Sequence, residues 1–176
     1  DVAGAPAQTA KLVKPGDTVL VIGGAGKSGM LCLYEANKRA GVTGKVICLA
    51  HSERSLERVK NAKLADEYIV ADAKKPVEVM EKISEVTDGK MTDITINCVN
   101  VPDTEMSSIL ATKDDGLIYF FSMATSFTKA SLGAEGVGRD TTMIMGNGYT
   151  KGHAQIALQV MRESKELRKI YEELYA

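Results

Sequence analysis

Thr18-Val19-Leu20-Val21-Ile22-Gly23-Gly24-Ala25-Gly26-Lys27-Ser28-Gly29 is the stretch that decides the fold. Thr18–Ile22 is an apolar, mostly β-branched run ending on glycines, which is the pattern of a buried parallel strand. Gly24, Gly26 and Gly29 then stand in G-x-G-x-x-G spacing, and Lys27–Ala40 follows with helical periodicity up to Gly41. The spacing alone is a weak signal. Between a strand and a helix, inside a βαβ unit, it is a strong one. In such a turn Gly24 is expected to permit the tight bend and Gly26 to let a pyrophosphate approach the backbone. Gly29 is expected to let helix and strand pack closely. The backbone amides at Ala25, Gly26, Lys27 and Ser28 and the helix dipole would then face the phosphates.

The same residues contain Gly26-Lys27-Ser28, which raises a P-loop. That pattern needs a glycine five residues before Gly26, and the position is Val21, inside the strand. An ATPase reading is therefore poor.

Outward from the turn, strand-like and helix-like segments alternate. Strands are expected at Lys45–Ala50, Glu67–Val70, Asp93–Cys98, Leu117–Phe121 and Thr142–Met145. Helices are expected from Ser52, a plausible N-cap, to about Leu64, from Pro76 to about Thr87, and over Thr104–Leu110. A Gly- and Ser-containing stretch spans Ser122–Arg139. One long final helix is expected over His153–Tyr175, with apolar Ile156, Val160, Leu167, Ile170 and Leu174. Six strands with intervening helices predict an α/β Rossmann fold with a six-stranded, doubly wound parallel sheet in the order 3-2-1-4-5-6. Residues 1–14 read as a connecting segment, and 15–176 as the NAD(P)-binding domain.

The bulk composition narrows the function. The 176 residues suit one domain, and 44% hydrophobic with 26% charged residues is ordinary for a globular chain. A net charge of -1 speaks against nucleic acid or a membrane surface as partner. No apolar run approaches a membrane span. Asp1–Pro6 has neither the basic start nor the apolar run of a signal peptide. The chain begins without Met, as a piece of a longer protein would. Cys32, Cys48 and Cys98 form no Cys-x-x-Cys pair, so no structural zinc is expected, and their odd, low number suits a reducing cytoplasm.

Dinucleotides bind across the carboxyl ends of the strands. The fourth, fifth and sixth strand ends offer Asn100, Ser122 and Asn147 as polar candidates, although all three residue types also favour turns. An NAD site commonly carries an acid at the end of the second strand. Here the segment reads Leu49-Ala50-His51-Ser52-Glu53-Arg54. Ser52 and Arg54 suit a 2′-phosphate, while Glu53 is placed to reach back to the ribose, so NAD and NADP both stay open. His51 and His153 read as surface or capping residues, and the methionines as core filler.

Val13-Lys14-Pro15-Gly16-Asp17-Thr18 leading into the glycine turn, together with Ala65–Ile69 and Thr92–Cys98, resembles the cofactor domain of medium-chain dehydrogenases/reductases. The resemblance covers nearly the whole chain, but departs at Gly26-Lys27-Ser28-Gly29, where ordinary alcohol dehydrogenases carry Gly-Gly-Val-Gly. Lys27–Met30 and Gly146–Ala154 resemble an amine-oxidising branch of that family. This implies a nicotinamide-dependent oxidoreductase that deaminates a small diamino acid, assembled as a homodimer or homotetramer. It also implies that the catalytic groups, and any zinc, belong to a separate GroES-like domain that these residues do not contain. A related alcohol dehydrogenase or quinone reductase, and a non-catalytic dinucleotide-sensing module, are the competing readings.

Overall fold

The computed structural model describes residues 2–146 and 148–176. Helix α1 (Gly4–Leu12) comes first, then β1 (Thr18–Ile22), α2 (Lys27–Ala40), β2 (Lys45–Ala50), α3 (Glu53–Asn61) and β3 (Glu67–Val70). The second half holds α4 (Pro76–Val86), β4 (Thr92–Asn97), α5 (Glu105–Ala111), β5 (Thr112–Phe120), α6 (Phe127–Val137), β6 (Thr141–Met145), α7 (His153–Glu163) and α8 (Lys165–Tyr175). The six strands form one parallel sheet in the order β3-β2-β1-β4-β5-β6, as the sequence predicts.

The sheet is buried on both faces, and the central strand shows why its residues are apolar without alternation. Val19 and Val21 point to the side covered by α1, α2, α7 and α8, while Leu20 and Ile22 point to the side covered by α4. Every position therefore leaves water, which favours an unbroken Val/Leu/Ile run. Element ends follow local chemistry. Gly41 ends α2 at φ 64°, Ser52 caps α3 by accepting from the Ser55 amide, Pro76 opens α4, and Gly138 closes α6 in the left-handed region.

Four features differ from the sequence reading. The segment 1–14, expected only to connect, contains α1, whose Ala5 and Ala7 are buried among the helices of one face. Its buried residues are Gly4, Ala5, Pro6, Ala7, Gln8 and Thr9, small or polar side chains that allow close approach but leave no apolar stripe to recognise. The expected single helix 153–175 is broken at Ser164, whose φ of -110° and ψ of 104° are not helical and whose hydroxyl accepts from the Leu167 amide at 3.1 Å. Val160 and Leu167 are seven residues apart, so a continuous and a broken helix show the same apolar spacing, and only the cap distinguishes them. The Gly- and Ser-containing stretch Ser122–Arg139, for which the sequence predicts no helix, contains α6. In addition, β5 starts at Thr112 rather than Leu117, with a register irregularity against β4 and a left-handed Asp115.

Candidate functional site

A cavity of about 1080 Å³ opens along the carboxyl ends of all six strands, at the point where the strand order reverses between β1 and β4. This is where ligands settle in doubly wound sheets, and the volume is at the upper end of the roughly 300–1,000 Å³ usual for ligand pockets. Its floor is the glycine turn. Gly23 and Gly24 donate their amides to the Leu49 carbonyl of β2, and Gly26 donates to the Gly23 carbonyl at 3.0 Å.

The three motif glycines divide their work differently from the expectation. The left-handed residue is Gly23, at φ 78°, so the tight bend belongs to it and not to Gly24. Gly24 is needed because a Cβ there would lie 2.6 Å from Cys48 Sγ. A Cβ on Gly29 would lie 2.1 Å from the Gly23 carbonyl oxygen, so Gly29 sets the contact between α2 and the turn. Gly26 alone is exposed and faces the cavity, with no neighbour to a Cβ closer than 3.2 Å. The sequence motif thus contains two packing glycines and one open cradle.

Ala25, Gly26, Lys27, Ser28, Asn100 and Ser122 share the cavity wall. Gly24 and Gly29 are buried behind it. Asn147 lies outside the described residues. Ser52 and Arg54 are exposed and are not on the wall, because α3 starts there and the Ser52 hydroxyl is engaged with Ser55. Their neighbours His51 and Ser55 line the cavity instead, and so do Asp72 and Lys74 from the turn after β3. Sequence reasoning passed over Asp72 and Lys74, although Ala71-Asp72-Ala73-Lys74 directly follows a strand that the predicted order places beside β2. Lys27 rests its Nζ 4.1 Å from the ring centre of Tyr175, and its carbonyl accepts from the Tyr171 hydroxyl, so α8 straps the start of α2.

The loops around the cavity are held by buried polar groups on α5 and at the end of β4. The Ser107 hydroxyl donates to the Ala73 carbonyl at 2.6 Å and anchors the turn after β3. Asn97, fully buried, donates to Thr104 Oγ1 and Ser108 Oγ and accepts from the Val99 amide, which shapes the loop after β4. Glu105 Oε1 accepts from the Ser126 amide at 2.7 Å and anchors the loop after β5. Each is a buried group bonded to the backbone of a loop that lines the cavity or leads from it, so the wall is pre-formed.

Cys98 lines the cavity with its sulfur 3.9 Å from Cys32 Sγ. Its hydrogen bond with Cys32, and then burial, push its thiol well above the ordinary cysteine range, and burial pushes Cys48 up to about 12. Both stay protonated at pH 8, and the thiol is the unreactive form. Iodoacetamide at pH 8 is expected to leave both unmodified in the folded chain while labelling them in denaturant. Mass spectrometry checks this, and rapid labelling of native Cys98 would contradict it. Among the described residues no group of three His, Cys, Asp or Glu is arranged to hold a metal ion, so no step through zinc is derived for this chain.

A doubly wound parallel sheet with a glycine turn at its switch point defines a Rossmann domain of the dinucleotide-binding type. Residues 29–161 match the family model described as zinc-binding dehydrogenase, and the chain belongs to that family, the medium-chain dehydrogenase/reductase group that its sequence resembles. The chain is 60% identical over 175 residues to an L-erythro-3,5-diaminohexanoate dehydrogenase of Acetoanaerobium sticklandii, covering 99% of this chain and 51% of that protein. It is 56% identical, with the same coverage, to the enzyme of that name from Fusobacterium nucleatum. The chain therefore spans about half the length of these relatives. Among solved structures, an alcohol dehydrogenase zinc-binding domain protein from Burkholderia ambifaria superposes with a TM-score of 0.70 at 19% identity, over 95% of this chain and 45% of that one. A mycobacterial protein complexed with NADPH superposes at 0.65 and 16% identity, over 92% and 53% of the two chains.

Proposed function

We propose that this chain is the NAD(P)-binding domain, residues 15–176 with α1 packed against it, of an L-erythro-3,5-diaminohexanoate dehydrogenase. The observation that carries the reading is the 56–60% identity to enzymes of that name along nearly the whole chain, joined to a cavity built on the glycine turn. The reaction would take a hydride, with its electron pair, from the carbon bearing the amine onto the nicotinamide of NAD⁺ or NADP⁺. Water would then hydrolyse the resulting imine to 5-amino-3-oxohexanoate and ammonia. The bound cofactor supplies the hydride-accepting ring, and the protein supplies position and surroundings.

The residues on the wall fit that cofactor. The amides of Ala25, Lys27 and Ser28 at the start of α2 would hold the pyrophosphate over the open Gly26, whose own amide is taken by the Gly23 carbonyl, with Lys27 adding charge. Asn100, Ser122 and Asn147 are proposed along the nicotinamide half. Catalytic groups are assigned to the part of the enzyme outside these residues. A homodimer or homotetramer in a reducing cytoplasm completes the reading, supported by three free thiols and by exposed Phe127, Leu132 and Val137 on α6.

Cofactor preference follows from the end of β2, which carries no acid, so NADP is expected to be accepted. Ser52 and Arg54, at the exposed start of α3, are proposed to meet the 2′-phosphate. Arg54→Ala should weaken NADP about fivefold, since an exposed ion pair contributes roughly 1 kcal/mol or less, with a smaller change for NAD. The opposing arrangement has Glu53, or Asp72 one strand over, accept from the ribose hydroxyls. Calorimetry with both cofactors on wild type, Arg54→Ala, Glu53→Ala and Asp72→Asn separates the two. A ratio untouched by Arg54→Ala, with NAD selectively weakened by either acid variant, would establish the second.

A further inference from the structure

The loops after β3, β4 and β5 are braced through α5, on one face of the sheet. The loop after β6 is braced from the other end of the chain. Thr150 and Gln8 are 7% and 5% exposed, and the Thr150 hydroxyl donates to Gln8 Oε1 at 3.0 Å. One turn earlier in α1, Gly4 lies so close to Gly148 that a Cβ would come 2.4 Å from its backbone. Gly146, Gly148 and Tyr149 line the cavity, and Val2 joins them. Beyond Thr150, its carbonyl accepts from the His153 amide and lies 3.1 Å from His153 Nδ1, which ties the brace to the start of α7.

We infer that Gln8 and Thr150 are positioning residues for the nicotinamide half of the cofactor, so that α1 is part of the binding apparatus. The inference rests on the proposed dinucleotide site. In a doubly wound fold the first three strands and the glycine turn take the adenosine and pyrophosphate, and the other three strands take the second nucleotide. The loop after β6 belongs to that second half. Unbraced, it would have to be ordered by the ligand, and that cost would appear as lost affinity. A buried Thr–Gln pair at the joint removes the cost in advance. Sequence separation of 142 residues hides the pairing, and only folding brings the two side chains together.

The test compares two probes on this chain, ADP and NAD. ADP reports the turn and the first half, and NAD reports both halves. Thr150→Val keeps the shape and removes the donor. It is expected to weaken NAD about 2- to 10-fold, the range of one net hydrogen bond, while ADP affinity stays unchanged. Thr150→Ser, which keeps the hydroxyl, should restore NAD affinity. Gln8→Met should reproduce Thr150→Val, and the double variant should be no worse than either single one, since the two act as one unit. A simple loss of stability would not separate the probes. Unchanged NAD affinity in both single variants, or an equal fall for NAD and ADP, would overturn the inference. Failure of the wild-type chain to bind either nucleotide would overturn the site reading beneath it, and the inference with it.

Discussion

Gly26→Val is expected to abolish dinucleotide binding while the domain stays folded. Gly26 has φ -83° and ψ 172°, a conformation any L residue adopts, so the backbone does not resist a β-branched side chain. Only the Gly23 carbonyl oxygen, 3.2 Å from the new Cβ, has to yield slightly. The rest of the valine points into the cavity, at the place where a pyrophosphate must touch the amides of the first turn of α2. Its methyl groups exclude that contact and cover the amides. A loss of more than about 100-fold, roughly 2.7 kcal/mol, is expected for both NAD and NADP. Calorimetry gives the affinities, and thermal unfolding checks that the midpoint moves little. Affinity equal to that of the wild type with either cofactor would remove the pyrophosphate from this turn.

Gly29→Ala is expected to do the reverse, striking the fold before the ligand. The new methyl would lie 2.1 Å from the Gly23 carbonyl oxygen and 2.7 Å from the Gly24 Cα. Both are backbone atoms, tied in turn to β2 through the Leu49 carbonyl, so no side chain can swing aside. Relief requires α2 to move off β1, although Met30, Cys32, Leu33 and Ala36 of that helix are among the most buried residues of the core. Overpacking costs about 1–3 kcal/mol, and contact with backbone that cannot swing aside puts Gly29→Ala at about 3 kcal/mol, a large share of the roughly 5–15 kcal/mol that holds a domain together. Gly136→Ala in α6 is the control. Nothing lies within 4 Å of its Cβ, so the ordinary helix preference for alanine should stabilise the chain by about 0.5–1 kcal/mol. Urea unfolding of the three proteins decides it, and a Gly29→Ala variant as stable as the wild type would show that the turn is not locked by backbone contact.

The two glycines show where sequence reading ends. Spacing between a strand and a helix was enough to place the turn, the six parallel strands and their order, because buried parallel strands and amphipathic crossovers leave periodicities that survive in one dimension. Residues whose role is local, such as Ser52 as a cap and Pro76 as a helix start, were legible for the same reason. Tertiary structure alone decided which motif glycine bends, which packs and which stays open. Those roles depend on Val99, Cys48 and Leu33 arriving from other elements. It also decided that Asp72 and Lys74 reach the cavity wall while Ser52 and Arg54 stay beside it, because a helix start points neighbouring residues in different directions. Helix α1 carried no apolar stripe, and Ser164 no change of period, so neither the helix nor the break could be read from pattern. The physical reason is shared: periodicity records which face of an element is buried, but carries no information about the partner that buries it. The contacts that shape this cavity, from Ser107 to Ala73, Glu105 to Ser126 and Thr150 to Gln8, are each made between residues far apart in the chain.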